Sequence, residues 1–141
     1  MDRPEPTSDA DRPWFLVDID RFPEPTGSLS VLEFGKHVPF EVRRVFWVSN
    51  VPSGDLARGA HAHKELKQVL FCAKGRCEID LETSKGETAT FTLSETGSAL
   101  YLDGPVWRTM RAFTPDCCLM VLCDREYSRD TVLRDYAEFH R

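Results

Sequence analysis

The sequence predicts an all-β fold, a jelly roll in which two antiparallel sheets pack into a sandwich and one short C-terminal helix follows them. Short apolar runs recur between turn residues, glycines mark tight reversals, and one run alternates strictly between apolar and charged side chains. The 141 residues suffice for one domain with one core. We expect residues 1–13, which are polar and rich in proline, to form a flexible tail, and residues 14–141 to form the domain.

Nine runs are predicted to be strands because turn residues bound segments rich in apolar, aromatic and β-branched side chains. The clearest is Arg76–Glu82, where Cys77, Ile79 and Leu81 can face the core while the charged residues between them face water. The nine runs are residues 14–19, 28–34, 42–48, 61–73, 76–82, 88–93, 99–102, 108–113 and 117–123.

The period of the pattern changes at the end of the chain. Ser128 can cap a helix over residues 129–139, in which Val132, Tyr136 and Phe139 share one side. The sequence therefore predicts one short helix packed on the sandwich.

Charge and composition exclude several classes of function. The net charge is -5 and no run is rich in lysine or arginine, so binding to nucleic acid is not expected. No apolar run approaches the ~18 residues of a membrane span, and the N-terminus has no apolar signal core. We expect a cytoplasmic protein. Its five cysteines lie mostly in apolar runs without a Cys-x-x-Cys pair, which favours buried reduced thiols over a disulfide or zinc site.

His61 and His63 are the candidate catalytic residues. Side chains two apart on a strand share a face, so both imidazoles should point into the sandwich. A facing pair of histidines is suited to proton transfer near neutral pH, with one as general base and the other as its partner or relay. A carbon acid beside a ketone is a fitting substrate, because the carbonyl stabilises the enolate. The alternative is that both are ordinary strand residues.

The run from Arg58 to His63 is similar to the His-x-His signature of metal-binding cupins, which a glutamate and a third histidine complete. Here the neutral Gln68 best matches the glutamate, and Arg108 stands where the later histidine would be. Because a cation beside the site would repel a metal ion, we expect no bound metal. We also expect no other cofactor. A metal-dependent cupin oxygenase is the less favoured alternative.

Basic and aromatic residues are the candidates for binding an anionic substrate. Adjacent strand residues face opposite ways, so only one of Arg43 and Arg44 can enter the pocket, and we predict Arg44 as the group that binds phosphate. Aromatic faces can stack on a base or sugar ring, and a buried cation can serve an anionic ligand or a developing oxyanion. Core packing and surface ion pairing are the alternative interpretations. The predicted substrate-binding set is Arg44, Arg58, Gln68, Tyr101, Trp107 and Arg108.

Taken together, several linked segments resemble the nucleotide-sugar 3,4-ketoisomerases, cupin-type enzymes that act on dTDP-4-keto-6-deoxyglucose. The resemblance runs from about residue 27 to residue 139, and it depends on the order and spacing of the segments rather than on one motif. The segments are residues 27–29, 39–45, 58–64, 104–107 and 135–139.

The resemblance implies a metal-free jelly roll, usually a homodimer that exchanges N-terminal strands, which moves a ketone from C4 to C3 of a dTDP-linked keto-sugar. It implies His63 as the base, His61 as partner or proton shuttle, and Arg44 as a ligand of the phosphates or the keto-sugar. Such enzymes serve the biosynthesis of deoxyamino sugars.

The chain departs from the family pattern at three places. Pro25-Thr26 replaces a Tyr-Arg pair, Phe46-Trp47 replaces a Tyr-Tyr pair, and Trp107-Arg108 replaces a Trp-His pair. These changes leave the second acid or base unassigned. An epimerase or other isomerase on a related nucleotide sugar, and a non-catalytic cupin that binds such a sugar, are therefore the alternative functions.

Overall fold

A computed structural model describes residues 13–52, 57–128 and 132–140. These residues form twelve strands and one short helix. In chain order they are β1 Trp14–Val17, β2 Asp20–Glu24, β3 Gly27–Val31, β4 Arg44–Ser49, β5 Arg58–His63, β6 Lys67–Lys74, β7 Arg76–Glu82, β8 Thr88–Ser94, β9 Ala99–Asp103, β10 Trp107–Arg111, β11 Cys118–Cys123, β12 Val132–Leu133 and α1 Tyr136–Phe139.

The strands form two five-stranded sheets and a separate hairpin. The first sheet has the order β1-β9-β6-β11-β4, the second has the order β12-β5-β10-β7-β8, and β2 pairs only with β3. Neighbouring strands in both sheets run antiparallel. The main core lies between the sheets, where Leu70 and Leu119 of the first meet Ile79 of the second. The predicted all-β sandwich is confirmed.

A second apolar cluster covers the outer face of the first sheet. Val38 and Phe40, from the segment between β3 and β4, are buried with Val69 and Tyr101 of the sheet. Because both faces of the first sheet are covered, the first four residues of β9 are all buried. Burial alone therefore does not show which side chains of this strand face the space between the sheets.

The strand predictions needed two corrections. The run 61–73 is not one strand, because the chain turns at residues 64–66 and passes from β5 in the second sheet to β6 in the first. Strand β2 was missed, since Pro23 and polar residues hide the alternation in it. Its pairing with β3 supplies the backbone hydrogen bonds that the side-chain pattern does not reveal.

The predicted C-terminal helix is shorter than expected. Val132 and Leu133 form β12, which pairs with the edge of β5, so this part of the helix prediction was wrong. The helix cap is not Ser128 but Asp135, whose carboxylate accepts hydrogen bonds from the backbone N–H groups of Ala137 and Glu138. Residues 1–12 of the predicted tail and residues 129–131 of the predicted helix lie outside the described residues. Within the described part of the chain, no helix is long and apolar enough to cross a membrane.

Candidate active site

Strand β5 directs two imidazoles into the space between the sheets. The Nε2 atoms of His61 and His63 are 3.0 Å apart, and the two rings stand at 90° to each other. His63 is 9% exposed and His61 is half-buried. Since a neutral imidazole carries one hydrogen, only one of the two Nε2 atoms can donate in this contact. The predicted pair is therefore built as a hydrogen-bonded unit able to hold and relay one proton.

Both histidines are neutral at physiological pH. Burial, followed by the positive charge of Arg108, lowers the pKa of His61 to about 4 and that of His63 to about 3. The Nδ1 atom of His61 is buried and has no hydrogen-bond partner among the described residues. Neutral, desolvated imidazoles are suited to taking a proton from a bound ligand, and the uncommitted Nδ1 atom of His61 gives the pair a further position for that proton.

A buried cation lies next to the histidine pair. Strand β10 sets Arg108 directly opposite His61, and the arginine is 1% exposed. It donates through Nη1 to the side-chain oxygen of Gln68, and through Nε and Nη2 to the Val106 carbonyl at 3.4 and 3.3 Å. Burial lowers the pKa of Arg108 to about 10, so it remains charged at neutral pH.

That cation has no anionic partner in the described part of the chain. No ion pair between described residues includes Arg108, which donates to the amide oxygen of Gln68 and to the Val106 carbonyl. A buried charge without a counter-ion costs several kcal/mol unless hydrogen bonds or a ligand compensate it. The arrangement favours a bound anion, or a negative charge that forms during a reaction.

The first sheet contributes the opposite side of the site. Gln68, Cys123 and Arg44 stand side by side across β6, β11 and β4. Gln68 donates to the Cys123 sulfur at 3.4 Å while accepting from the Arg108 guanidinium. Gln68 therefore orients the Arg108 guanidinium. A neutral amide is suited to this role because it can accept from the arginine and donate to Cys123 at the same time.

Arg44 is held by aromatic rings. Its guanidinium carbon lies 4.6 Å from the centroid of Phe46 and 5.2 Å from that of Tyr127. Its charge also contributes to the lowered pKa of His63. Arg43 instead forms a surface ion pair with Glu41 at 3.2 Å. The structure thus brings Arg44, and not Arg43, to the histidines.

Two predicted aromatic residues lie elsewhere, and placing them in this pocket was wrong. Tyr101 stands opposite Val69, on the outer face of the first sheet, and stacks on Phe15 with centroids 4.5 Å apart. Trp107 precedes Arg108 and therefore faces the other way, where its ring centroid lies 5.2 Å from that of Tyr136 and 5.6 Å from that of Phe139 in α1.

Arg58 is also not shown to join the site. It is exposed at the start of β5, and its partner on β10 is Met110, beyond a break in register. Among the described residues, no hydrogen bond, ion pair or ring contact links it to either histidine. The residues that sequence reasoning missed are Phe46, Cys123 and Tyr127. Phe46 could have been found, because it is two residues from Arg44 and shares its face.

The lowered histidine pKa values predict a loss of stability in mild acid. In the unfolded chain a histidine takes up a proton near its ordinary pKa of 6.5, whereas these two do so near 4 and 3 when folded. Between pH 6.5 and the folded-state pKa values of about 4 and about 3, the unfolded state binds more protons than the folded state. The free energy of unfolding therefore falls as the pH falls through this range. Urea unfolding at pH 7.5 and at pH 5 should show the decrease, and replacing both histidines by asparagine should reduce it. An unchanged pH dependence in that variant would contradict the shifts.

A double-sheet jelly roll with paired histidines between its sheets defines a cupin-like protein. The family FdtA, described as WxcM-like, C-terminal, matches residues 13–141, so the chain belongs to this family. The resemblance inferred from the sequence is thereby confirmed.

Characterised relatives agree. The chain is 32% identical to TDP-4-oxo-6-deoxy-alpha-D-glucose-3,4-oxoisomerase of Aneurinibacillus thermoaerophilus over 126 residues, which is 89% of each protein. It matches the crystal structure of QdtA, a sugar 3,4-ketoisomerase from Thermoanaerobacterium thermosaccharolyticum in complex with TDP, with a TM-score of 0.85 and 32% identity over 92% of this chain and 93% of the other. A 3,4-ketoisomerase from Helicobacter canadensis matches with a TM-score of 0.83 and 35% identity over 90% and 94%. The predicted isomerase class is confirmed.

Proposed function

We propose that this protein is a nucleotide-sugar 3,4-ketoisomerase that converts dTDP-4-keto-6-deoxyglucose into a dTDP-3-keto-6-deoxyhexose. One observation carries the proposal: in a chain of this family, two neutral histidines share a hydrogen bond of 3.0 Å beside the buried cation of Arg108. That combination supplies a base, a proton relay and a positive charge for an enolate oxygen.

The reaction needs two proton transfers on carbon and two on oxygen. His63 takes the proton from C3, and the electrons of the C–H bond move into the C3–C4 bond and onto O4. The charge on O4 develops beside Arg108, and a proton delivered to O4 gives the enediol. Loss of the O3 proton and protonation of C4 then give the 3-ketone. The contact between the two Nε2 atoms makes His61 the shuttle: the proton that His63 removed exchanges with solvent through the pair, and a solvent-derived proton is delivered to C4.

Arg44 is proposed to bind the phosphates or the keto-sugar. A guanidinium offers paired planar donors that match phosphate oxygens, and stacking between Phe46 and Tyr127 limits the positions that this side chain can adopt. Solved relatives in complex with TDP and with TDP-4-keto-6-deoxyglucose support a ligand of this class.

The function is tested by incubating the protein with dTDP-4-keto-6-deoxyglucose in D₂O and following the sugar by proton NMR. We expect a 3-keto product labelled at C4, whose coupling constants report the new configuration. Exchange of the C3 proton without a 3-keto product would indicate that the second transfer is absent. If a stably bound sugar exchanges no proton at all, the chain is a binding protein and the proposal fails.

We further propose that the protein is a homodimer with exchanged N-terminal strands. The β2–β3 hairpin belongs to neither large sheet, and its paired residues Phe22 and Leu29 are 50% and 59% exposed. Strand β4 is an edge of the first sheet and exposes Trp47, which is 60% exposed. The exposed apolar pair on the hairpin and the exposed Trp47 at the sheet edge are complementary surfaces, and a second chain can cover both.

Charged substitutions in the hairpin should separate the dimer. The double variant F22E/L29E buries two carboxylates in the proposed interface, and we expect it to weaken association by about thirty-fold or more, as the loss of an interface hot spot does. Light scattering after size-exclusion chromatography over a dilution series measures this. S30E, beside Leu29 on the strand and facing the other way, is the matched control. A parent protein that is monomeric at every concentration would refute the dimer.

A further inference from the structure

Three of the five cysteines converge in the main core, away from the histidines. Cys72 lies near the end of β6, Cys77 lies on β7, and Cys117 immediately precedes β11. The Cys72 sulfur is 3.7 Å from each of the other two, and all three sulfurs lie within 4.8 Å of one another. Each residue is at most 3% exposed. Cys72 is four residues beyond Gln68, roughly 13 Å along the strand, so this cluster is separate from the proposed active site.

A glycine makes the convergence possible. Gly75 forms the turn between β6 and β7 with a φ of 72°, and a Cβ atom there would lie 2.6 Å from the Cys117 Cα. Any other residue would push the turn away from Cys117. The backbone thus holds the three thiols together through a close approach, and not only through the packing of their side chains.

The sulfur triangle has the dimensions of a trigonal thiolate site. A point equidistant from sulfurs at these separations lies about 2.1–2.4 Å from each, close to the ~2.3 Å length of a zinc–sulfur bond. These separations match an atom that prefers three sulfur ligands. Soft, thiophilic elements have this preference.

The net charge of the bound complex distinguishes among those elements. The cluster belongs to an apolar core in which Leu93, Leu119 and Val121 are fully buried. Three thiolates around Cu⁺ leave a net charge of minus two, and around Zn²⁺ they leave minus one. Around trivalent arsenic they leave none. Because a buried net charge without a counter-ion costs several kcal/mol, the site selects the neutral complex.

We propose that Cys72, Cys77 and Cys117 form a binding site for trivalent arsenic. Arsenous acid reacts with three thiols: three As–O bonds break, three As–S bonds form, and each sulfur's hydrogen leaves with a hydroxyl group as water. No oxidant or reductant is needed, and no charge remains in the core. The adduct links β6, β7 and the start of β11, so it binds the folded state selectively and stabilises it.

The test is titration of the reduced, full-length protein with arsenite, followed by native mass spectrometry and thermal unfolding. We expect one arsenic per chain, with a mass gain of one arsenic atom less three hydrogens, and a rise in Tm. C72S should lose the adduct. C118S, which changes a half-buried thiol outside the triangle, should keep it and is the matched control.

Several outcomes would overturn the proposal. An adduct that retains a hydroxyl group would mean that only two thiols bind, and an unchanged adduct in C72S would place the arsenic elsewhere. Absence of an adduct at millimolar arsenite, or an adduct that forms without raising Tm, would show that the folded core does not admit the ion. Tighter binding of Cu⁺ or Zn²⁺ in direct competition would refute the charge selection. The mass of the parent adduct decides the stoichiometry even if C72S fails to fold.

Discussion

Replacing His61 and His63 together by asparagine is expected to lower kcat by on the order of 10²–10⁴-fold, the contribution usual for positioned acid–base catalysis. Asparagine preserves a polar side chain of moderate size but cannot take a proton. Because the two Nε2 atoms contact each other at 3.0 Å, each single substitution should cost nearly as much as the double one. Initial rates of 3-keto product formation, followed by NMR, provide the measurement.

The matched control is H140N. His140 lies next to α1, where its ring contacts the Glu82 carboxylate at 2.9 Å and the Ser84 carbonyl at 3.1 Å, away from the space between the sheets. We expect H140N to keep the parent kcat. If the double variant is folded by circular dichroism and turns over at the parent rate, then His61 and His63 do not carry the chemistry.

Period-two alternation accounts for what the sequence could predict at the site. It placed His61 and His63 on one face, and it allowed only one of Arg43 and Arg44 to enter the pocket. Those inferences needed no knowledge of which strands are neighbours. The contact between Gln68 and Arg108, by contrast, joins two sheets and is 40 residues apart in sequence, so no local pattern reveals it.

Alternation failed for Tyr101 because both faces of its strand are apolar. In β9 the first four residues are buried, and a strand covered on both sides does not show which face is the inner one. Trp107 and Arg108 are adjacent on one strand, so alternation excludes placing both side chains in one pocket. Once Arg108 is assigned to the inner face, Trp107 no longer belongs to the predicted substrate-binding set.

The end of the chain shows how tertiary pairing overrides a local pattern. Val132 fits a helical stripe with Tyr136 and Phe139, yet it forms a backbone ladder with His63 at the free edge of β5. The helix begins only after Asp135 supplies a cap. An unpaired sheet edge offers hydrogen bonds that helix propensity over a few residues does not outweigh.

The second large effect is expected for Arg108. R108M removes the cation and keeps an apolar side chain that can fill part of the same buried space, and we expect kcat to fall by about 10²–10³-fold, as when one donor to a developing oxyanion is lost. Because the positive charge of Arg108 contributes to the lowered pKa values of both histidines, its removal should raise them towards 6.5. The acidic limb of the pH profile of kcat/KM should therefore move to higher pH.

The shift of the acidic limb in R108M separates a catalytic role of Arg108 from a purely structural one. A buried cation without a carboxylate partner is costly, so R108M should change Tm only modestly in either direction while Gln68 and the Val106 carbonyl lose a donor. R111M is the matched control: Arg111 lies on the same strand but faces outward, where it pairs with Asp80 at 2.5 Å. We expect R111M to keep both kcat and the pH profile. If R108M keeps the parent kcat and the acidic limb does not move, the cation is not the group that stabilises the enolate, and the negative charge on O4 must be stabilised by another residue.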